Sequence, residues 1–339
     1  MPLRLMAILA IAKLFLVTAL DAQVERITPE LISEHVGVLA HDSMRGRATP
    51  SPQIEAAANY IESRFRRIGL SPAGDSGTFR QRFPVRVRPN ATATAAIDTM
   101  AATGPSVVGL LRGSDPDLAS QYVLVVAHFD HVGTGRPLNG DSIYNGADDN
   151  ASGTAGLLAI AEAFARGPQR PARSLLFLAV SGEERGLLGS RWFAEHPTVP
   201  LADIVGLVNL DMISRNRPDS VYLNGWGKST ISDLVRRLAA EHPELRLAVG
   251  PDVEDRPVTP ADSDHWPFQR AGIPYIFFYT GPHSDYHRPG DHPDRINADK
   301  AARVARLAYY TVESLAGTRE RPSWEPEARA RNVAPDRPR

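Results

Sequence analysis

The feature that most constrains the fold is a set of short, continuous apolar runs that alternate with stretches of helical periodicity. The apolar runs are residues 122–127, 174–180, 204–210 and 274–279. Helical patterns cover residues 151–166, 187–195 and 298–315. Continuous apolar runs are typical of strands buried on both faces of a sheet. The alternation predicts an α/β fold with a mainly parallel sheet centre.

The sequence before residue 121 has a different pattern. Apolar residues recur at helical spacing over 29–39 and 54–68, on either side of a loop that contains Gly46, Pro50 and Pro52. Short β-like runs at 79–87 and 106–111 follow. Because no repeat or clear boundary divides the chain, residues 23–317 are predicted to form a single domain. Residues 318–339 are rich in Pro, Arg and Glu without apolar periodicity, and disorder is predicted there.

The first 22 residues have the pattern of a secretory signal peptide. Arg4 precedes a mainly apolar stretch from Leu5 to Leu20, and Ala22 stands before a polar residue. Lys13 interrupts the stretch, which is also short for a membrane-spanning helix. A retained membrane anchor is the alternative. We expect a cleaved signal, export to the periplasm or the medium, and no stable membrane association.

Composition excludes several classes of function. The net charge of -1 gives no general attraction to nucleic acid. The chain has no cysteine, which excludes disulfides, thiolate zinc sites and a cysteine nucleophile. Any zinc must therefore be held by histidine and carboxylate, as in catalytic zinc sites. The Gly-x-Ser-x-Gly elbow of serine hydrolases, the His-Glu-x-x-His zinc motif and the Walker phosphate loop are also absent from the sequence.

Acidic and histidine side chains follow the predicted core strands. The first strand leads into His128 and Asp130, the third ends at Asp211, and the loop before residue 150 contains an acidic pair. The remaining members of this set are Asp148, Asp149, Glu183, Glu184, His283 and His287. In open α/β sheets, ligands bind beyond the carboxyl ends of the strands. Carboxylates so close together repel one another, and divalent cations would stabilise them.

Each of these residues also has an ordinary structural interpretation. The acidic pair before residue 150 could cap a helix, adjacent glutamates are commonly solvated, and an aspartate often begins a turn. A metal site is favoured because, without one, all of these separate structural interpretations would have to hold at once at the same edge of the sheet. The residues alone leave three choices open, namely Asp148 or Asp149, Glu183 or Glu184, and His283 or His287.

The ordered set of motifs resembles metallopeptidase family 28, the co-catalytic dizinc exopeptidases that include bacterial leucyl-type aminopeptidases. The motifs are His128-x-Asp130, Gly146–Gly153, Gly182-Glu183-Glu184-x-Gly186, Asn209-Leu210-Asp211-Met212 and Tyr286-His287-x-Pro289. The resemblance extends over about residues 39–315, including segments 44–47 and 263–265. It is to the short form of the family, because residues 88–120 leave no room for an inserted protease-associated domain.

The resemblance implies a three-layer α/β/α fold with a mixed, centrally parallel sheet of the zinc-exopeptidase, phosphorylase/hydrolase-like type. It implies two zinc ions per chain and cleavage of N-terminal residues from peptide substrates. Asp149 would bridge the ions, His128 and Asp211 would complete one, and Glu184 and His287 the other. These assignments come from the family pattern.

The resemblance also implies that Glu183 is the general base and that Tyr286 donates a hydrogen bond to the developing oxyanion. Asp130, two residues from His128, is placed to fix the tautomer of that imidazole as an outer carboxylate. Asp264 and His265 are interpreted as structural or pocket-lining residues. No role is assigned to the remaining histidines considered, His131, His196, His242 and His292.

Three relatives of the same fold are alternatives. A glutaminyl cyclase works with one zinc, and its equivalent of the Asp149 loop typically lacks the continuation found here. A carboxypeptidase would need an arginine for the substrate carboxylate, which Arg215 or Arg270 could supply, although each is more typical of a surface or ion-pair arginine. A non-catalytic binding relative would lack one or more metal ligands, whereas here every ligand of the pattern is present.

Overall fold

The computed structural model describes residues 23–86, 102–251 and 263–332. The helices are α1 Pro29–Leu39, α2 Pro52–Arg67, α3 Gly153–Arg166, α4 Leu188–Glu195, α5 Thr230–Glu241, α6 His265–Arg270, α7 Ala298–Gly317 and α8 Pro326–Asn332. The strands are β1 Ser71–Pro72, β2 Arg80–Val85, β3 Ala102–Leu111, β4 Tyr122–His128, β5 Gly133–Leu138, β6 Asp141–Tyr144, β7 Ser174–Val180, β8 Ile204–Leu210, β9 Ser220–Asn224, β10 Ala248–Gly250 and β11 Tyr275–Tyr279.

The predicted signal at residues 1–22 lies outside the described residues. Among the described helices, none combines the length and apolar character needed to cross a bilayer.

The main sheet is mixed, with a parallel centre. Its order is β1-β3-β7-β4-β8-β11-β9-β10, and β2 also pairs with β3. The four central strands β7, β4, β8 and β11 are parallel neighbours. Antiparallel pairs flank them, β3 with β7 on one side and β9 with β11 on the other. The four parallel strands are the four apolar runs of the sequence, so the predicted sheet is confirmed.

Helices cover both faces of this sheet. In β4 the side chains alternate, so that Val123 and Val125 join one hydrophobic cluster while Leu124 and Val126 join the other. The first cluster contains apolar residues of α1, α2, α3, α5 and α7, and the second contains Phe193 of α4 and Phe268 of α6. Burying each such side chain contributes about 1.5–3 kcal/mol. The result is the three-layer α/β/α arrangement expected from the resemblance.

The segment between β4 and α3 is more ordered than a simple polar loop. β5 and β6 pair as an antiparallel hairpin. Asn139 and Gly140 occupy its turn with φ values of 53° and 87°, and an Asn-Gly pair is a strong sequence signal for a two-residue hairpin turn. The hairpin was not predicted because its strands are polar and lack the alternation of a half-buried sheet.

The C-terminal segment differs from the prediction of disorder over residues 318–332. Trp324 donates a hydrogen bond from Nε1 to the carbonyl of Gly272 at 2.8 Å and forms an isolated β-bridge with Ser229. The backbone N–H of Thr230 donates to the carbonyl of Ser323 at 3.0 Å. One aromatic anchor and main-chain pairing therefore fix this segment despite its polar composition. Residues 333–339 lie outside the described residues.

Parallel pairing brings the carboxyl ends of the central strands to one edge. His128 is the last residue of β4, and Asp211 comes directly after β8. The segment with Glu183 follows β7, and the segment with His287 follows β11. The residues that the sequence analysis singled out are thereby collected at the crevice where α/β sheets bind ligands.

Candidate metal centre

One group of potential metal ligands comprises His128, Glu183 and Asp211, whose ligand atoms lie within 4.8 Å of one another. Nε2 of His128 is 3.3 Å from Oδ1 of Asp211. The backbone of His128 is held in place because Oγ1 of Thr154 donates a hydrogen bond to its carbonyl at 2.7 Å. The strand end and the first turn of α3 together fix the backbone that carries this imidazole.

A second group comprises His131, Asp149, Glu184 and His287, again with ligand atoms within 4.8 Å. Nε2 of His287 lies 3.1 Å from Oδ2 of Asp149 and 3.0 Å from Oε2 of Glu184. Despite these short distances, that nitrogen is buried and makes no hydrogen bond to any residue that the structure describes. Such convergence without hydrogen-bond geometry fits three ligands directed at a common cation.

Asp149 lies between the two groups. Its Oδ1 is 3.5 Å from Nε2 of His128, and its Oδ2 is 3.1 Å from Nε2 of His287. The two oxygens of one carboxylate therefore face two different histidines on opposite sides. This is the arrangement that a carboxylate shared by two cations requires.

The loop that carries Asp149 is fixed through its main chain. Asp291 accepts hydrogen bonds from the backbone N–H groups of Asp148 and Asp149, each at 3.0 Å. Gly146, which precedes the loop, has a φ of 61°, and a Cβ there would lie 2.2 Å from the carbonyl oxygen of Asp149. A glycine is required at this position, because any side chain would displace the loop.

The structure distinguishes between the members of two pairs that sequence alone left open. The carboxylate of Asp148 accepts from Ser214, from the backbone N–H at 2.8 Å and from Oγ at 2.6 Å. His283 is next to it, with Nε2 3.4 Å from Oδ2 of Asp148. These two side chains lie together outside both ligand groups, whereas Asp149 and His287 lie within them.

Both glutamates of the third pair lie at the centre, one in each group. Glu184 faces His287 and His131, while Glu183 lines the crevice with His128 and Asp211. The backbone N–H of Glu183 donates to Oδ1 of Asp130 at 3.2 Å. The two side chains diverge from adjacent positions, which allows different roles.

Asp130 contacts His128 differently from the sequence-based expectation. Nδ1 of His128 lies 3.3 Å from the main-chain carbonyl oxygen of Asp130, whereas the carboxylate is 3.7 Å away. The imidazole hydrogen bond is therefore made by the backbone of Asp130. Its carboxylate instead accepts from the main chain of Glu183 and ties together the ends of β4 and β7.

Burial and mutual repulsion shape the protonation of the acidic residues. Burial, followed by the charge of Glu184, raises the pKa of Asp149 to about 6. Burial and neighbouring carboxylates also raise the pKa of Glu183 well above its usual range. Burial first, and then Asp211 and Asp130, raise the pKa of Asp264 to about 7. The crevice thus concentrates negative charge in a poorly solvated place.

The two candidate ligand histidines respond in the opposite sense. Burial opposes protonation of His287, but Asp149 and Glu184 outweigh it and raise its pKa to about 10. Burial likewise opposes protonation of His128, and Asp211 and Glu183 raise its pKa well above the usual value. The direction of both shifts reflects the excess of carboxylates around the two imidazoles. Divalent cations would supply that charge in place of protons.

Residues around Asp211 fix its orientation. Oγ of Ser263 donates to Oδ2 of Asp211 at 2.7 Å, and Nδ2 of Asn209 donates to the same hydroxyl oxygen at 2.7 Å. Asp264 is fully buried near this pair. His265 stacks on Tyr275, with ring centroids 4.5 Å apart, which agrees with the structural role expected for it.

The four histidines that were assigned no role from the sequence fall into two classes. Three of them lie elsewhere, His196 stacked on Trp192, His242 stacked on Tyr310, and His292 3.0 Å from the carboxylate of Asp141. His131 is different, because Nδ1 lies 2.8 Å from Oε1 of Glu184 and 3.6 Å from Oδ2 of Asp149. No role for His131 was predicted from the sequence, although its position three residues after His128 was an available signal.

Arg215, considered for a substrate carboxylate, is instead paired with Asp285 at 2.7 Å. The crevice itself has a cavity of about 180 Å³. Its lining combines potential ligands with an apolar wall, and its residues are His128, Asp149, Glu183, Asp211, Met212, Phe277, Tyr279 and Tyr286. Tyr286 is 41% exposed and stacks on His287 with ring centroids 3.9 Å apart.

Comparison with known proteins identifies the family of this chain. The model of Peptidase family M28 matches residues 106–312, which include all five proposed metal ligands. The chain belongs to peptidase family M28. Leupeptin-inactivating enzyme 1 of Streptomyces exfoliatus is 29% identical over 217 residues, covering 63% of this chain and 44% of that protein. Aminopeptidase YwaD of Bacillus subtilis is 28% identical over 236 residues, covering 65% of this chain and 46% of that protein.

The chain thus spans less than half the length of these two curated M28 relatives. Solved structures share its fold. A zinc aminopeptidase of B. subtilis superposes with a TM-score of 0.65 at 15% identity, covering 87% of this chain and 96% of that one. Glutaminyl cyclase of Porphyromonas gingivalis gives 0.61 at 17% identity, covering 85% and 98%. At such identities the likeness establishes the α/β/α fold alone.

Proposed function

We propose that this M28 protein is a zinc-dependent aminopeptidase that hydrolyses the N-terminal peptide bond of peptides. The observation that supports the proposal most is the position of Asp149, whose two oxygens face His128 on one side and His287 on the other. A shared carboxylate between two histidine-containing groups suits a pair of cations. Aminopeptidases among the M28 relatives and fold neighbours favour this activity over others of the fold.

Two zinc ions per chain are proposed for the centre. His128 and Asp211 would hold one, Glu184 and His287 the other, and Asp149 both. The donors are histidine nitrogens and carboxylate oxygens, the ligands of catalytic zinc. When bound, such a pair of ions polarises the scissile carbonyl and lowers the pKa of water toward neutrality.

Glu183 is proposed as the general base. It lines the crevice beside His128 and Asp211. It lies outside the group in which Glu184 approaches His287. Burial and the surrounding carboxylates raise its pKa, which suits a group that must accept a proton from water and release it near neutral pH. Its carboxylate would pass that proton to the nitrogen of the leaving amine.

Tyr286 is proposed to donate a hydrogen bond to the oxyanion that forms at the scissile carbonyl. Burial, followed by the nearby carboxylates of Asp149 and Glu184, raises the pKa of its phenol. The hydroxyl group therefore keeps its proton and remains a donor. Met212, Phe277 and Tyr279 form the apolar part of the crevice, and an apolar N-terminal side chain fits there.

The decisive experiment compares wild type, Glu183→Gln and Glu195→Gln on free and N-acetylated aminoacyl-nitroanilides. Glu195 is exposed at the end of α4 and provides the matched control. We expect cleavage of the free-amine series only, full activity in Glu195→Gln, and a loss of roughly 10²–10⁴-fold in Glu183→Gln. Zinc content measured by atomic emission should be two per chain in all three proteins.

Other outcomes would contradict the proposal in distinct ways. Cleavage of the acetylated series would exclude a strict aminopeptidase, and release of C-terminal residues from blocked peptides would indicate a carboxypeptidase. Formation of pyroglutamate from a peptide with N-terminal glutamine would indicate a glutaminyl cyclase. Less than one zinc per chain without peptidase activity would indicate a non-catalytic member of the family.

A further inference from the structure

His131 is a buried histidine at the metal centre that the proposed mechanism does not use. Its side chain is fully enclosed, and Nδ1 lies 2.8 Å from Oε1 of Glu184. It lies three residues beyond His128, on the segment that leads from β4 into the hairpin β5–β6. Its role follows from a comparison with His287, which contacts the same carboxylate.

The two histidines face different oxygens of Glu184 with different geometry. Nε2 of His287 is 3.0 Å from Oε2 but makes no hydrogen bond among the described residues. Nδ1 of His131 meets Oε1 in hydrogen-bond geometry at 2.8 Å. One oxygen of the carboxylate is thus directed with His287 and Asp149 toward the proposed second ion, and the other is held from behind by His131.

The tautomer of His131 follows from its contacts. A neutral imidazole carries one N–H, and a buried N–H without an acceptor is costly. With hydrogen on Nδ1, that N–H is satisfied by Glu184. With hydrogen on Nε2, it would have no partner among the residues that the structure describes. The ring therefore donates through Nδ1 and offers no lone pair to a cation on that side.

The surrounding chain keeps the ring of His131 in this orientation. The backbone N–H of His131 donates to the carbonyl of Arg47 at 3.4 Å. A Cβ at Gly146 would lie 2.5 Å from Cγ of the ring, so the imidazole occupies space that exists only because residue 146 is glycine. The ring also meets His287 edge to face, with centroids 5.5 Å apart. Packing on these sides removes the rotational freedom that would otherwise weaken the hydrogen bond.

We propose that His131 is a positioning residue for the second zinc site, donating its Nδ1–H to Glu184 so that Oε2 alone is presented to the ion. This inference rests on the proposed dizinc function. A carboxylate without such a partner can rotate and must be ordered when the ion binds, which costs free energy. Removing outer partners of metal ligands typically lowers metal affinity about 10–100-fold.

The test is a comparison of His131→Ala with His131→Asn in competition with a chromophoric zinc chelator. The amide Nδ2 of asparagine takes nearly the place of Nδ1 and can donate to Glu184, but an amide nitrogen does not bind zinc. We expect His131→Ala to weaken the second zinc about 10–100-fold and leave the first nearly unchanged. His131→Asn should restore most of the affinity.

Each result bears on a separate statement. The inference is overturned if His131→Ala binds both zinc ions as tightly as wild type. It is also overturned if His131→Asn binds the second zinc as weakly as His131→Ala does. That second result would identify the ring as a direct ligand. If wild type binds fewer than two zinc ions, the proposed function itself fails. Thermal unfolding of metal-free His131→Ala and His131→Asn, compared with that of metal-free wild type, separates loss of zinc affinity from loss of folding.

Discussion

Replacing Arg47 with methionine would remove a guanidinium that joins three segments beneath the candidate metal centre. Arg47 is fully buried and donates to the carbonyls of Phe129 at 2.7 Å, Leu39 at 2.5 Å, Asn145 at 2.6 Å and Gly146 at 2.9 Å. These acceptors belong to the end of α1, the segment after β4 and the start of the Asp149 loop. Methionine has a similar length and fills most of the volume, so the main loss is of hydrogen bonds.

The magnitude follows from two opposing contributions. Hydrogen bonds to a charged group contribute about 1.5–3 kcal/mol each, so the four contribute roughly 6–12 kcal/mol. Burial lowers the pKa of Arg47 from 12.5 to about 10, a shift that corresponds to about 3 kcal/mol of unfavourable desolvation. The net loss on substitution is therefore about 3–9 kcal/mol, a large share of the roughly 5–15 kcal/mol that stabilises a typical folded protein.

Equilibrium unfolding in urea, at saturating zinc, measures this free energy directly. Arg45→Met is the matched control, because Arg45 is an exposed residue of the same loop and exposed substitutions usually change stability by less than about 0.5 kcal/mol. We expect Arg47→Met to lower the midpoint strongly and Arg45→Met to leave it nearly unchanged. A loss below about 2 kcal/mol in Arg47→Met would refute the reasoning, since four buried carbonyls would then be tolerated without their donor.

Two further predictions concern catalysis and processing. Tyr286→Phe should lower kcat about 10²–10³-fold with zinc content unchanged, and steady-state kinetics with metal analysis would show it; a change of less than threefold would remove the oxyanion role. Export is proposed from the sequence of residues 1–22 alone, and N-terminal sequencing of protein from the periplasm or medium of a bacterial host should begin at Gln23. Intact protein retained in the membrane fraction would instead indicate an anchor.

The sheet could be predicted because its signal is local. Each central strand is a continuous apolar run, and parallel pairing places all their carboxyl ends at one edge. The collection of His128 and Asp211 at that edge follows from the same reasoning. The choice of Asp149 over Asp148 could not follow, because it depends on Ser214, far away in sequence, which donates to Asp148 and holds it outside the site.

Other features were missed although a signal was present. The hairpin β5–β6 has an Asn-Gly turn, but polar strands gave no alternation that would support it. Trp324 is an aromatic residue in an otherwise polar tail, and it is the residue that docks the tail on Gly272. Overall composition describes a segment poorly when an aromatic side chain and main-chain hydrogen bonds anchor it.

The way the centre is held explains how so many carboxylates can share one crevice. The guanidinium of Arg47 interacts electrostatically with Asp130, Asp149 and Asp291. Its hydrogen bonds, however, go to carbonyl oxygens of the main chain and not to any candidate ligand. Asp291 likewise binds the backbone of the Asp149 loop. Both residues therefore fix the positions of the segments that carry the candidate ligands without making hydrogen bonds to the carboxylates of those ligands. An acidic centre ordered through its backbone keeps its carboxylate oxygens directed into the crevice, and this preorganisation would lower the cost of binding cations there.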